Sequence, residues 1–225
     1  MTDILDIAGR IKEFHSIVPE GVEIVAVSKF HPAQMIMQAY EAGQRIFGES
    51  RVQEFLEKEK TLPKDIRWHF IGHLQTNKVK SIIGKTSLIE SVDSLRLSEL
   101  INRESEKAGI ITEILLQVHV AAEEEKFGFF PKEIFDFINS LEFLSFKNLK
   151  VRGIMGMATN TDDNQRILND FEKIHAIFEE LKSNPNLNQE EFNLLSMGMS
   201  GDWPLAVEKG ANVIRIGSAI FGSRY

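Results

Sequence analysis

The 225-residue sequence predicts a single α/β domain, a (β/α)8 barrel of the TIM type with one extra helix at its amino terminus. Three observations carry that prediction. Eight short apolar runs read as strands, amphipathic stretches alternate with them, and no linker rich in Pro, Gly or Ser, low-complexity tract or charge block divides the chain. Strands that alternate with helices pair in parallel through right-handed crossovers, and eight such units at this length close on themselves rather than forming an open sheet. Residues 1–225 are therefore expected to form one domain.

Ile4, Ile7, Ile11, Phe14 and Val18 recur at helical spacing, and Pro19 and Gly21 end that first helix. The first strand is Val22-Glu23-Ile24-Val25-Ala26-Val27-Ser28-Lys29, a run rich in β-branched residues that stops at a lysine. Pro32 is placed for the first turn of a helix that runs to Ala42 and is closed by Gly43. Arg45 to Phe47 is the second strand, Gly48-Glu49-Ser50 a loop, and Val52 to about Leu62 a charged surface helix. Trp68 to Ile71 is the third strand, with Gly72-His73-Leu74-Gln75 and a helix to about Ile83 after it. Leu88 to Val92 is the fourth, and Asp93 or Ser94 caps the helix that ends at Gly109. Ile110 to Val120 is the fifth strand, and Pro131 starts the following helix. Val151 to Met155 is the sixth strand; Asp162 or Asp163 then caps a helix whose Ile167, Phe171, Ile174, Phe178 and Leu181 form one apolar stripe. Phe192 to Leu195 is the seventh strand, Ser200 to Lys209 a helix, and Asn212 to Ile216 the eighth strand.

Composition narrows the function. A formal net charge of -7 argues against a nucleic-acid or anionic-membrane surface. With no cysteine there is no disulfide, thiolate nucleophile or cysteine metal ligand. The first residues are acidic where a signal peptide would be basic, and no apolar run approaches membrane-spanning length, so a cytoplasmic protein is expected; it is read as a monomer.

Ligand sites of such barrels form at the carboxyl ends of the strands. Lys29 sits there on the first strand, where desolvation favours the neutral amine that condenses with a carbonyl to give a Schiff base. Taken alone it reads as an ordinary solvated loop lysine, so the other loops decide. Barrels commonly hold a phosphate between the loops after strands seven and eight, and those loops carry Ser200 and Gly217-Ser218, each read as the start of a helix. Arg215, between Ile214 and Ile216, is a guanidinium in a barrel core; it pairs with an acidic neighbour or meets a ligand's acceptor. An amine, an anion cradle and a cationic donor together describe the three attachment points of pyridoxal phosphate (PLP). An arginine partner would keep the pyridine nitrogen unprotonated, which weakens the ring as an electron sink.

Val25-Ala26-Val27-Ser28-Lys29, Phe47-Gly48-Glu49, Arg51-Val52-Gln53-Glu54, Trp68 to Gln75, Leu195 to Ser200 and Arg215 to Gly222 resemble the PLP homeostasis proteins of the YggS/PROSC type. The likeness runs in order from about Val22 to Arg224. It implies a fold similar to the N-terminal barrel domain of alanine racemase, and a protein that holds PLP on Lys29 and buffers it or delivers it to apo PLP enzymes. It makes Arg215 the partner of the pyridine nitrogen and Ser200, Gly217 and Ser218 the phosphate contacts, with Met199 lining the pocket. Ser50 stands where that family usually has an asparagine near the ring hydroxyl. His119 and Ala121 stand where the family tends to carry an Asn-x-Ser pattern before Lys126 and Gly128.

Rival readings remain at this level. A PLP-dependent amino-acid racemase needs a second base opposite the lysine; Tyr40 lies in an outer helix and Tyr225 is the last residue, which leaves His69, His73 and His119. A Schiff-base aldolase would need an acid near Lys29, and Glu49 is the close candidate. His69 and His73 are four apart but lack the glutamate of a zinc helix motif, so His69 is expected to pack in its strand and His73 to make a hydrogen bond.

Overall fold

The computed structural model describes residues 6–123 and 127–222. Ile4, Lys126 and Tyr225 lie outside them. Eight strands, β1 (Glu23–Val27), β2 (Ile46–Glu49), β3 (Arg67–Phe70), β4 (Leu88–Val92), β5 (Thr112–Val118), β6 (Leu149–Gly156), β7 (Leu194–Met199) and β8 (Val213–Ile216), pair in sequence order into a closed barrel. β8 closes it against β1, with Val25 opposite Arg215 and Ala26 opposite Ile216, in parallel. The helices are α1 (Ile7–Ile17), α2 (Ala33–Glu41), α3 (Val52–Thr61), α4 (Val79–Ile82), α5 (Leu95–Ala108), α6 (Pro131–Ile138), α7 (Leu141–Ser145), α8 (Asn164–Lys182), α9 (Trp203–Glu208) and α10 (Ser218–Phe221). The (β/α)8 barrel expected from the sequence is the fold observed.

Side chains alternate across each strand, so the barrel has two apolar compartments. Outward residues such as Ile24, Ala26, Phe47, Phe70, Ile114, Leu116, Leu195 and Ile214 pack under the helices. Inward residues form smaller clusters, Val25 with Ile46 and Val213, and Leu88 with Leu115 and Met155. The α8 stripe of Ile167, Phe171, Ile174, Phe178 and Leu181 is buried as its spacing requires, each side chain stabilising by about 1.5–3 kcal/mol. Ser94 and Asp163 are the caps chosen from each pair: Ser94 Oγ accepts from Leu97 N–H, and Asp163 Oδ1 from Gln165 and Arg166 N–H. Gly109 closes α5 in the left-handed conformation at φ 67°, as its position predicts.

Several boundaries differ from the sequence expectation. β7 runs through Met199 and β2 through Glu49, because their polar residues meet buried partners. β5 is shorter than the apolar run: Ile111 is exposed, and pairing stops at Val118. After β3 the expected helix is a 3-10 turn at Thr76–Lys78 followed by the single turn of α4. α9 begins at Trp203 with a proline in its first turn, so Ser200 stands in the turn before the helix rather than starting it. α7, capped by Ser140, has no counterpart in the sequence expectation. Among the described residues no helix is long and apolar enough to cross a membrane.

Candidate functional site

A cleft of about 300 Å³ opens at the carboxyl ends of the strands, at the low end of the roughly 300–1,000 Å³ usual for small-molecule sites. Lys29, just past β1, lines it together with Met199 at the end of β7, Ser200 just after it, Arg215 on β8, and Gly217 and Ser218 before and in α10. Six of the seven residues singled out in the sequence therefore share one cavity. Ser50 is not among the lining residues. It sits half-buried in the loop after β2, packed against Gly72, where any side chain would collide with the Ser50 backbone. The lining residues that the sequence reading missed are Val27, His31, Ile71, Met155, Met157, Gly201 and Gly222. His31 follows Lys29 by two positions and stacks on Phe221 with ring centroids 5.2 Å apart; the loop-by-loop reading stopped at the lysine.

The rim between β7 and β8 is organised by one hydroxyl. Ser200 Oγ accepts from the N–H of Gly217 at 3.1 Å and of Ala219 at 3.4 Å, tying the two loops together. Asp202 Oδ1 accepts from the Met199 N–H at 2.5 Å and fixes the turn that presents Met199 and Ser200. Burial pushes the Asp202 carboxyl upward, against the opposing pull of that N–H and of Arg215. The donor set of the cleft is thus an amine, two hydroxyls, backbone N–H groups and a guanidinium, which suits an anionic aldehyde with a ring acceptor.

Arg215 is buried and has the acidic neighbour that the sequence allowed for. Its Nη1 donates to Ser196 Oγ at 2.6 Å and its Nη2 to the Gly156 carbonyl at 2.9 Å, while Glu90 Oε2 lies 3.7 Å from Nη1. It also lines the cleft. Burial lowers its pKa from the ordinary arginine value, and the Glu90 and Asp202 carboxylates oppose that shift.

The Lys29 loop rests on a buried ion pair. Lys58 Nζ donates to the Ser28 carbonyl at 2.9 Å, to Glu49 Oε1 at 2.7 Å and to Glu54 Oε1 at 2.6 Å. Glu54 Oε1 also accepts the Phe30 N–H at 2.6 Å, and Ser28 Oγ donates to Glu49 at 2.6 Å. Phe30 has φ 69°, the only positive value outside glycine among the described residues, so the chain beside Lys29 is bent sharply and pinned by Glu54. Glu49, the acid an aldolase would need, does not line the cleft and is engaged by Lys58 and Ser28. Burial raises its pKa, with Lys58 and Ser28 opposing.

The histidines weighed as a second base are placed elsewhere. His69 does more than pack: its Nδ1 is 2.7 Å from Glu90 Oε1 inside the bore. His73 Nδ1 is 3.0 Å from Asp93, as a hydrogen-bonding role predicts, and the ring stacks on Phe127 at 3.8 Å. His119 is buried against Phe130. Tyr40 donates its hydroxyl to Asp65 on the surface. Among the described residues no cluster of three or more histidine or acidic side chains is arranged to hold a metal.

The alanine racemase N-terminal domain family matches residues 3–225. A PLP homeostasis protein of Schizosaccharomyces pombe is 38% identical over 209 residues, which cover 91% of this chain and 85% of the relative. The structure of PipY from Synechococcus elongatus with PLP bound superposes with a TM-score of 0.87 at 36% identity, covering 96% of this chain and all of PipY. Alanine racemase of Clostridium difficile shares the fold alone, with a TM-score of 0.76 at 12% identity, and this chain spans 56% of its length. The chain belongs to the family of pyridoxal phosphate homeostasis proteins.

Proposed function

We propose that this chain holds PLP reversibly in the cleft between Lys29 and the Ser200–Ser218 rim, and buffers it or hands it to apo PLP enzymes without an essential turnover of its own. The observation that carries the reading is the convergence of an amine, a hydroxyl-lined anion rim and a guanidinium on one cavity of suitable size. The PLP carried by PipY, similar over nearly the whole chain, supports it. When bound, PLP supplies an aldehyde that condenses reversibly with a primary amine and a ring that withdraws electrons. Lys29 offers the amine. Ser200, Gly217 and Ser218 offer hydroxyl and N–H donors to the phosphate. Arg215 donates to the ring nitrogen and, as a cation that keeps its own protons, leaves that nitrogen without one. Met199 and Ile71 give the cleft apolar lining.

Holding rather than turnover is favoured by the surroundings of Lys29. Racemisation needs a second base on the opposite face; none of His69, His73 and His119 lines the cleft, and the histidine that does, His31, follows Lys29 by two positions on the same loop with its ring stacked on Phe221. The test is the visible absorbance of purified chain mixed with PLP. A band that forms with the wild type and is lost in Lys29→Ala is expected, as is recovery of activity when the loaded chain is mixed with an apo PLP enzyme. A preparation that stays colourless would overturn the cofactor reading; robust turnover across a panel of amino acids would overturn the carrier role.

A further inference from the structure

The bore beneath the cleft holds an arrangement that the proposed function leaves unused. His69 on β3, Glu90 on β4, Ser196 on β7 and Arg215 on β8 all turn inward and are buried. His69 Nδ1 lies 2.7 Å from Glu90 Oε1, the Ser196 hydroxyl 2.6 Å from Glu90 Oε2, and Arg215 Nη1 2.6 Å from the Ser196 oxygen. With Glu90 as a carboxylate, the protons of this chain have one arrangement. Arg215 can only donate, so Ser196 accepts from it and turns its own proton to Glu90. Glu90 then accepts at both oxygens, which requires a proton on His69 Nδ1. Burial alone would raise the Glu90 carboxyl, but His69, Arg215 and Ser196 outweigh it and the net shift is downward, consistent with a carboxylate.

The two ends of this chain of bonds open at opposite mouths of the barrel. Arg215 lines the cleft at the carboxyl ends of the strands. His69 lines a separate cleft of about 460 Å³ at the amino ends, with Glu23 of β1, Arg67 of β3, Glu113 of β5 and Arg152 of β6. Those charges cancel in pairs, Arg67 with Glu23 at 3.1 Å and Arg152 with Glu113 at 2.7 Å. Glu90 and, beyond it, Arg215 are therefore the groups that register a change of charge on His69.

We propose that Glu90 is a positioning residue for Arg215, and that His69, reached from the amino-terminal mouth, sets Glu90 and so governs how Arg215 meets the cofactor's ring. This rests on the reading that Arg215 faces the ring nitrogen. A carboxylate at position 90 accepts from His69 and Ser196 together and balances the guanidinium. A glutamine has one acceptor oxygen and turns an amide N–H toward a partner that needs an acceptor, and Arg215 keeps Asp202 as its remaining carboxylate.

The experiment uses the full chain titrated with PLP and followed by its visible band. Glu90→Gln should still form a band on Lys29, with affinity weakened by about tenfold and with a band position and pH profile different from the wild type. His69→Leu should match it. His69→Asn, which keeps a donor near the Nδ1 position, should restore affinity and the wild-type band position. Glu90→Gln and His69→Leu that reproduce the wild-type affinity, band and pH profile would overturn the proposal while leaving the carrier function standing. Should Glu90→Gln fail to fold, the two His69 variants decide by the same criteria. A wild type that makes no band would count against the carrier function instead. The cofactor-free chain then decides this proposal through the imidazole nitrogen signals of His69, expected to move in Arg215→Lys; signals that stay put would overturn it.

Discussion

Val25 and Arg215 are partners across the seam where β8 meets β1, so Lys29 and the guanidinium reach the same cleft from adjacent strands. Arg215 is also the counter-charge of the fully buried Glu90. Arg215→Met should therefore destabilise the cofactor-free chain by about 3–5 kcal/mol, because it strands a carboxylate in the bore. Adding Glu90→Leu should recover much of that loss. Urea midpoints of the two single variants and the double variant check this; additive losses would contradict it.

Ser200 ties together the two loops of the rim proposed for the phosphate. Removing its hydroxyl in Ser200→Ala frees the Gly217 and Ala219 N–H groups from their shared acceptor and removes one donor from the rim. The expected loss is about tenfold in affinity for PLP and little for pyridoxal, which lacks the phosphate. Parallel titrations with the two compounds measure the difference, and equal losses would place Ser200 away from the phosphate.

Lys58 lies under the Lys29 loop with only 8% of its side chain exposed. Lys58→Met leaves Glu49 buried without its cation and releases Glu54 and the Ser28 carbonyl. A loss of about 3 kcal/mol follows, along with slower or weaker PLP binding as the Phe30 bend relaxes. Chemical denaturation and the rate of band formation read the two effects separately.

Asp170 ties the loop after β6 to α8: its Oδ2 accepts from the Thr159 N–H at 3.0 Å and hydroxyl at 2.6 Å, while Arg166 and Lys173 face Oδ1. Burial would raise its carboxyl, but these partners outweigh it and hold it below the ordinary value. A depressed folded pKa gives stability that is complete above the unfolded value of about 3.9 and is lost as pH falls through the folded one. Asp170→Asn should thus cost about 1–2 kcal/mol at neutral pH, with the gap from wild type narrowing progressively below about pH 4. A gap that stays constant across an acid series of urea melts would contradict this assignment.

The order of elements was legible because each inward or outward residue of a strand must alternate and each helix must show one stripe. Leu88–Val92 and the α8 stripe needed nothing else. Boundaries failed where a polar residue finds its partner only after folding. Ser196 and Glu49 look like loop residues in the sequence, yet Arg215 with Glu90, and Lys58, make each of them a strand residue. The same blindness hid the bore: period-two alternation puts His69, Glu90, Ser196 and Arg215 on inward faces, but nothing in the linear pattern says that these four strands bring them within bonding distance. The cleft was legible through its loops because position at a strand's carboxyl end is topological. Ser50 follows β2 in sequence and packs against Gly72, and it is not among the residues that line the cavity.

Closure of β8 on β1 also has a temporal meaning. During synthesis the amine emerges early, whereas its guanidinium arrives only with β8, so a nascent chain that has not yet exposed β8 lacks the finished receptacle. Charging with the vitamin must then wait for β8 to close on β1, and a truncation that removes β8 would open the barrel between the amine and the Ser200 rim.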